Sequence, residues 1–282
     1  MLIRITVWSA VLLMLVSGSA MAQAPAAADP NPGAITLTTG IDFPSVYFFR
    51  GIRQEADPKL TVFPYGDVGI ALFTGTGGLK SVGVNFGVWN SLNTGSSGTG
   101  SGVKTSHYEE DFYSTLSLGF AAATTAGITY TAYTSPNGSF PTVKEISIKI
   151  AQASKYAPYG LVAFELSGQA DGGANKGTYG EFGAAPSWPL GGGKATLAIP
   201  LKVGLSVKDY YEGANGDQKF GYFDVGALVT IPLTGIDSKF GSWNIHGSVD
   251  YLYFGGDKST TRAFNNGDSG QVIGLGGIGL TY

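Results

Sequence analysis

Thr196-Leu197-Ala198-Ile199-Pro200-Leu201-Lys202-Val203-Gly204-Leu205-Ser206-Val207 decides the fold. Leu197, Ile199, Leu201, Val203, Leu205 and Val207 take alternate positions, and small or polar residues with one proline fill the others. Period two is the signature of a β-strand with one apolar and one polar face. The alternation recurs from Ala34 to Tyr282, as in Val82, Val84, Phe86 and Val88, or Ile146, Ile148 and Ile150. A soluble sandwich hides such a face inside, whereas a membrane barrel turns it to lipid.

The same pattern on either side of this stretch predicts about twelve strands. They run over 34–50, 59–74, 79–91, 107–122, 126–135, 142–152, 159–168, 176–188, 195–207, 218–233, 240–254 and 270–282. Connections after the even strands are short, such as Gly75 to Gly78 and Ala123 to Thr125. Those after the odd strands are mostly longer and rich in glycine, such as Leu92 to Ser106 and Gly255 to Ser269. Short turns on one rim and long loops on the other match the asymmetry of outer-membrane barrels. Trp188, Trp243 and Tyr282 fall at the short-turn rim, and Tyr47, Phe49, Tyr251 and Tyr253 toward the long-loop rim, as two interfacial girdles would.

The fold expected is therefore all-β: a transmembrane antiparallel up-and-down barrel spanning 34–282. Ahead of it, Arg4, the apolar run Val11 to Val16 and Ala20-Met21-Ala22 read as a signal peptide at 1–22, cut before Gln23. Residues 23–33, with Pro30 and Pro32, form an Ala/Pro-rich lead-in. The expected address is a bacterial outer membrane, with membrane lipid and the barrel-assembly machinery as partners. Ile278, Leu280 and Tyr282, alternating apolar residues that finish on an aromatic, fit an assembly signal.

If the apolar face looks outward, the opposite register lines the lumen. It carries Asp42, Asp67, Asp111, Glu145, Glu165, Glu181, Asp224 and Asp250 against Arg50, Lys149 and Lys202. Asp42, Asp67, Glu165, Glu181 and Lys202 count to similar heights. Glu165, Glu181 and Lys202 lie on consecutive strands, where they could touch across the ladder. These residues, with Asp224 and Asp250, are the candidate constriction: either a charged filter favouring cations or ion pairs bracing the wall. Eight strands leave an interior just filled by side chains and sixteen or more an aqueous channel, so about twelve should give a narrow lumen.

The segment Ser45-Val46-Tyr47-Phe48-Phe49-Arg50-Gly51-Ile52-Arg53-Gln54, followed by Asp57-Pro58, resembles the opening signature of the Gcw_chp family, also called TorF-type porins. That signature is an aromatic-rich strand, Arg-Gly-Ile-Ser-Gln, then an acidic residue and a proline. Arg53 stands where the family usually has serine, and the match covers about fifteen residues. The resemblance implies an outer-membrane barrel of porin-like function with no catalytic residues. Arg50 and Arg53 are expected at the external mouth, or, for Arg50, in a pair with a neighbouring carboxylate that pins the first loop.

Other functions find little footing. The net charge is −3 with no basic run, so no nucleic-acid partner is expected. There is no cysteine, and His107 and His246 show neither metal spacing nor a triad pattern, so no enzyme, cofactor or metal is expected. Asp257, Asn265, Asn266 and Asp268, and Glu212, Asn215 and Asp217, are oxygen-rich loop clusters that match no EF-hand. The function expected is a porin-like channel for small polar solutes, with a narrow, mildly cation-favouring lumen. The alternatives are a plugged structural or adhesion barrel acting through external loops, and a soluble carbohydrate-binding sandwich.

Overall fold

Each alternating segment becomes a strand that hydrogen-bonds the next, and the last bonds the first. The computed structural model describes residues 33–95 and 106–282. The signal peptide expected at 1–22, and most of the lead-in, lie outside the described residues. The strands are β1 (Ile35–Pro44), β2 (Thr61–Thr74), β3 (Leu79–Asn93), β4 (His107–Phe120), β5 (Thr124–Thr134) and β6 (Val143–Gln152). There follow β7 (Tyr159–Ser167), β8 (Thr178–Ala184, resumed at Ser187–Leu190) and β9 (Ala195–Ala198, resumed at Leu201–Lys208). The ring ends with β10 (Phe220–Pro232), β11 (Ser242–Tyr253) and β12 (Gly270–Thr281).

Every neighbouring pair is antiparallel, and β12 pairs with both β11 and β1, so the sheet closes into a twelve-stranded barrel. The seam runs from Thr38 opposite Thr281 to Pro44 opposite Leu275. Tyr282 fastens its end: its carbonyl accepts from the Leu37 amide at 2.6 Å and its amide donates to the Leu37 carbonyl at 2.8 Å. Pro186 and Pro200 interrupt β8 and β9, because proline lacks the N–H a ladder needs. Their carbonyls still accept from Ile199 and Gly226, both at 2.9 Å, so the wall is continuous across the breaks.

The apolar register looks outward. Ile35, Phe86, Phe112, Ile150, Val207, Val249 and Val272 are each half or more exposed and lie on seven different strands. So large an apolar exterior is incompatible with water and fits lipid. Strands of 10 to 15 residues in β1 to β4 match or exceed the roughly 9–11 residues a tilted strand needs to cross a bilayer. Tyr251 and Tyr253 take outward positions near the long-loop rim, as expected.

One strand departs from expectation. β1 ends at Pro44, not at residue 50, and Tyr47 and Phe49 are not girdle residues but are 3% and 6% exposed inside the barrel. The reason is visible in the residues: Val46, Tyr47, Phe48 and Phe49 are apolar on both alternating faces. A strand in the barrel wall meets lipid on one side only, whereas this segment is buried on both.

The lipid-facing assignment predicts a depth-dependent penalty. Leu116→Arg, mid-strand on the outer face of β4, should destabilise the protein folded in lipid by about 2–4 kcal/mol. Denaturant titration of the protein refolded into vesicles would measure it, and a loss under about 0.5 kcal/mol would place Leu116 away from lipid.

Candidate functional site

The segment between β1 and β2 turns into the lumen and fills its outer half. Phe48–Phe49 pairs with Ile52–Arg53 as a miniature hairpin whose two turn residues are Arg50 and Gly51. Both have positive φ, 47° and 78°, the requirement of a type I′ two-residue turn. Gly51 has a second reason to be glycine, since a Cβ there would meet the Tyr222 ring at 2.8 Å.

The hairpin's two faces touch opposite walls. Val46, Phe48 and Ile52 pack with Leu161, Tyr179, Tyr210, Tyr211, Leu252 and Phe254, the Phe48 and Phe254 rings stacking at 5.4 Å. Tyr47 and Phe49 pack with Phe63, Trp89, Tyr108, Tyr133 and Val143. Tyr47 lies 5.0 Å from Phe63 and 5.4 Å from Trp89, and Phe49 lies 5.2 Å from Tyr133, ring to ring. A segment in contact with both sides at one level occludes the passage there.

Arg50 fixes the hairpin's tip. Its guanidinium donates to both Glu145 carboxylate oxygens, at 2.6 and 2.8 Å, and to the Tyr210 hydroxyl at 2.9 Å. The cation also lies 4.3 Å from the centre of the Tyr179 ring. The Tyr211 hydroxyl donates to the Arg50 carbonyl at 2.9 Å. Arg50 is therefore inside the barrel rather than at the mouth, in the carboxylate pair that was its other expected role. The planar, two-pronged guanidinium suits this bidentate contact in a way that lysine does not. Arg53 stays on the plug's outer limb, donating to the carbonyl of Glu55 at 2.6 Å.

Glu55 closes the plug's base. Its carboxylate accepts from the Tyr47 amide at 2.8 Å and from the Thr61 hydroxyl at 2.7 Å. Burial raises its pKa above the ordinary carboxylate range, and these bonds oppose the rise. Above the hairpin, the short helix α1 (Thr260–Phe264) in the last loop covers it, with the Thr260 hydroxyl donating to the Tyr211 carbonyl at 3.0 Å.

The expected constriction residues divide into groups. Glu181 and Lys202 are diagonal neighbours, since Glu181 pairs with Gly204 and Lys202 with Gly183. Lys202 bridges to Asp224 at 3.3 Å. Glu181 accepts from three tyrosine hydroxyls: Tyr159 at 2.6 Å, Tyr222 at 3.0 Å, and Tyr179. Lys149 joins this row, its ammonium 4.3 Å from the Tyr159 ring centre. Asp250 accepts from Ser248 at 2.6 Å. Asp42 contacts His246 at 2.9 Å, and Asp67 accepts from Asn85 at 2.6 Å.

Glu165 does not belong with them. Leu161, not Glu165, is the β7 partner of Glu181, and Glu165 lies four residues farther along that strand, about 13 Å away. It accepts instead from the backbone amides of Ala170 and Gly177, both at 2.6 Å, and shapes the loop after β7. Counting heights from strand ends failed because neighbouring strands in a tilted barrel are staggered.

No protein-family model and no curated relative matches the chain. Among solved structures, it is similar to outer membrane phospholipase A from Escherichia coli at 12% identity, covering 86% of this chain and 92% of that one, with a TM-score of 0.43. It is similar to the NanC porin at 12% identity, covering 88% and 99%, with a TM-score of 0.39. The translocator domain of the autotransporter NalP from Neisseria meningitidis gives 14%, 89%, 89% and 0.40 in the same order. All three scores lie below 0.5, and the fold stands on the strand pairing above.

The buried ion pair predicts a characteristic asymmetry. Arg50→Met alone should cost about 3–5 kcal/mol of stability, because it strands the Glu145 carboxylate out of water. Adding Glu145→Met should restore most of that loss in a double-mutant cycle, while two additive losses would mean the groups do not interact.

Proposed function

We propose that the protein is an outer-membrane channel for small polar solutes, porin-like in its strand-built wall and closed at rest by its first loop. The observation that carries this is the loop's position: an aromatic hairpin crossing the lumen above a wall that bears charge. Below the hairpin, Asp42, Asp67, Glu181, Asp224 and Asp250 face inward against Lys149 and Lys202. A barrel needed only as a scaffold would do better with an apolar filling, since each charge removed from water costs several kcal/mol before pairing. The excess of acids favours cations over anions.

The plug sets the resting state. Burying Val46, Tyr47, Phe48, Phe49 and Ile52 contributes roughly 1.5–3 kcal/mol each, so the closed state dominates unless something acts on the loop. The apolar run and cleavage site at 1–22 support export, and the likeness of Ser45 to Gln54 to the TorF-type signature supports a porin-like role. Catalysis forms no part of this reading. The ring bonds of His246 go to Asp42 and Asn244 and that of His107 to Asn90, none of them a nucleophilic hydroxyl.

The dense packing of the plug favours a second reading, a permanently stoppered barrel whose external loops do the work. Planar-bilayer recording separates the two. The intact protein should open rarely, and a variant with residues 46–55 replaced by a Gly/Ser linker should conduct steadily with potassium favoured over chloride. Heat-dependent gel migration would show that the variant is folded. A folded, plug-free barrel without conductance would overturn the channel reading and leave the stoppered one.

A further inference from the structure

Arg50 fills a receptacle that the barrel, not the plug, supplies. Its two terminal nitrogens meet the two carboxylate oxygens of Glu145, and one of them also meets the Tyr210 hydroxyl, at 2.6 to 2.9 Å. Rings cover the flat cation, with the centres of Tyr179, Phe49 and Tyr210 at 4.3, 5.0 and 5.4 Å. Of these partners only Phe49 belongs to the plug. Glu145 comes from β6, Tyr179 from β8 and Tyr210 from the loop after β9.

The receptacle is also braced from outside the plug. The Tyr133 hydroxyl on β5 donates to the Glu145 carboxylate at 3.3 Å. The Tyr210 amide donates to the Ser206 hydroxyl oxygen at 3.0 Å. The Tyr210 ring lies 5.0 Å from that of Tyr179 and 5.2 Å from that of Tyr211. Glu165, the ladder partner of Glu145 on β7, adds a second carboxyl group to the same wall. When the hairpin swings out, these groups stay with the barrel while Arg50 leaves them.

Such a site sorts cations by shape. A guanidinium makes two parallel bonds to a carboxylate, stacks on an aromatic face and is weakly hydrated, so it loses little on entering a dry pocket. An ammonium is a compact, strongly hydrated point charge and cannot make the two-pronged contact. We infer that Glu145, Tyr179 and Tyr210 bind guanidinium-bearing cations in the open channel, and that Arg50 occupies their site at rest as a tethered stand-in for the solute. A tethered group faces its site at an effective concentration on the order of millimolar, so the same contacts can hold Arg50 yet let a free solute leave, as conduction requires. The inference deepens the channel reading by naming a solute class, and it rests on the first loop being the gate.

The barrel with residues 46–55 replaced by a Gly/Ser linker exposes the receptacle to the lumen. In planar bilayers bathed in potassium chloride, ethylguanidinium should halve its current at a concentration about tenfold or more below that of ethylammonium. Glu145→Gln in the same background should erase the difference. Equal block by the two cations, or a difference that survives Glu145→Gln, overturns the site.

A second measurement needs no current. Arg50→Gly in the full chain vacates the site, and glycine suits the left-handed turn there. Refolded into vesicles with one cation present throughout, this variant should lose its folded gel mobility at a temperature about 2–4 °C higher in ethylguanidinium than in equal ethylammonium. The parent, whose site is filled, should show no such difference, and an equal response of Arg50→Gly to both cations would count against the site. Failure of the channel reading looks different: the plug-free barrel would fold but carry no current, and the Arg50→Gly comparison would then decide the site alone.

Discussion

Inside a bilayer every backbone amide and carbonyl must find a partner within the protein, and that requirement governs the rest of this structure. A sheet meets it only by closing, so β12 must return to β1, and the paired bonds between Leu37 and Tyr282 fasten the very end of the seam. Closure also explains why two prolines in neighbouring strands are tolerated. Each removes a donor but leaves its carbonyl, and those carbonyls are used by Ile199 and Gly226. Once the ladder is closed, the outer register has only lipid to meet and the inner register only the lumen.

Closure at twelve strands creates a second problem, an interior too wide for wall side chains alone to fill and too narrow for a broad aqueous pore. The chain answers with its first loop. The hairpin reaches both walls, and the tyrosines Tyr179, Tyr210, Tyr211 and Tyr222 receive it. Aromatic side chains suit this task, because they bury large areas while their hydroxyls serve Arg50, Glu181 and the hairpin backbone. Arg50 is then held by charge, by hydrogen bonds and by ring faces together. Its removal should cost stability.

Much of this was legible in the residues, and the failures have physical causes. The strand number, the rim asymmetry and the outward face of Leu201 to Val207 follow from period two and turn chemistry, both local properties. The first loop was misread as strand because Tyr47 and Phe49 continue the apolar register of Ile41 and Phe43. The corrective signal was present: Val46 and Phe48 are apolar on the opposite face, and Arg50-Gly51 interrupts the run where a tight turn fits. Glu165 was misplaced for another reason, since its height depends on strand stagger, which no single strand encodes. Asp111 was read onto the lumenal face, but its near-complete burial, which depends on what fills the barrel, is not encoded in its own strand.

The first loop occupies the lumen with Arg50 seated on Glu145. Solid-state NMR of the full chain folded in lipid, with arginine and glutamate isotopically labelled, tests it most directly. A through-space cross-peak between the Arg50 guanidinium carbon and the Glu145 carboxyl carbon, slow to exchange with water, is the predicted result. A mobile, water-exposed Arg50 with no contact to Glu145 would contradict it.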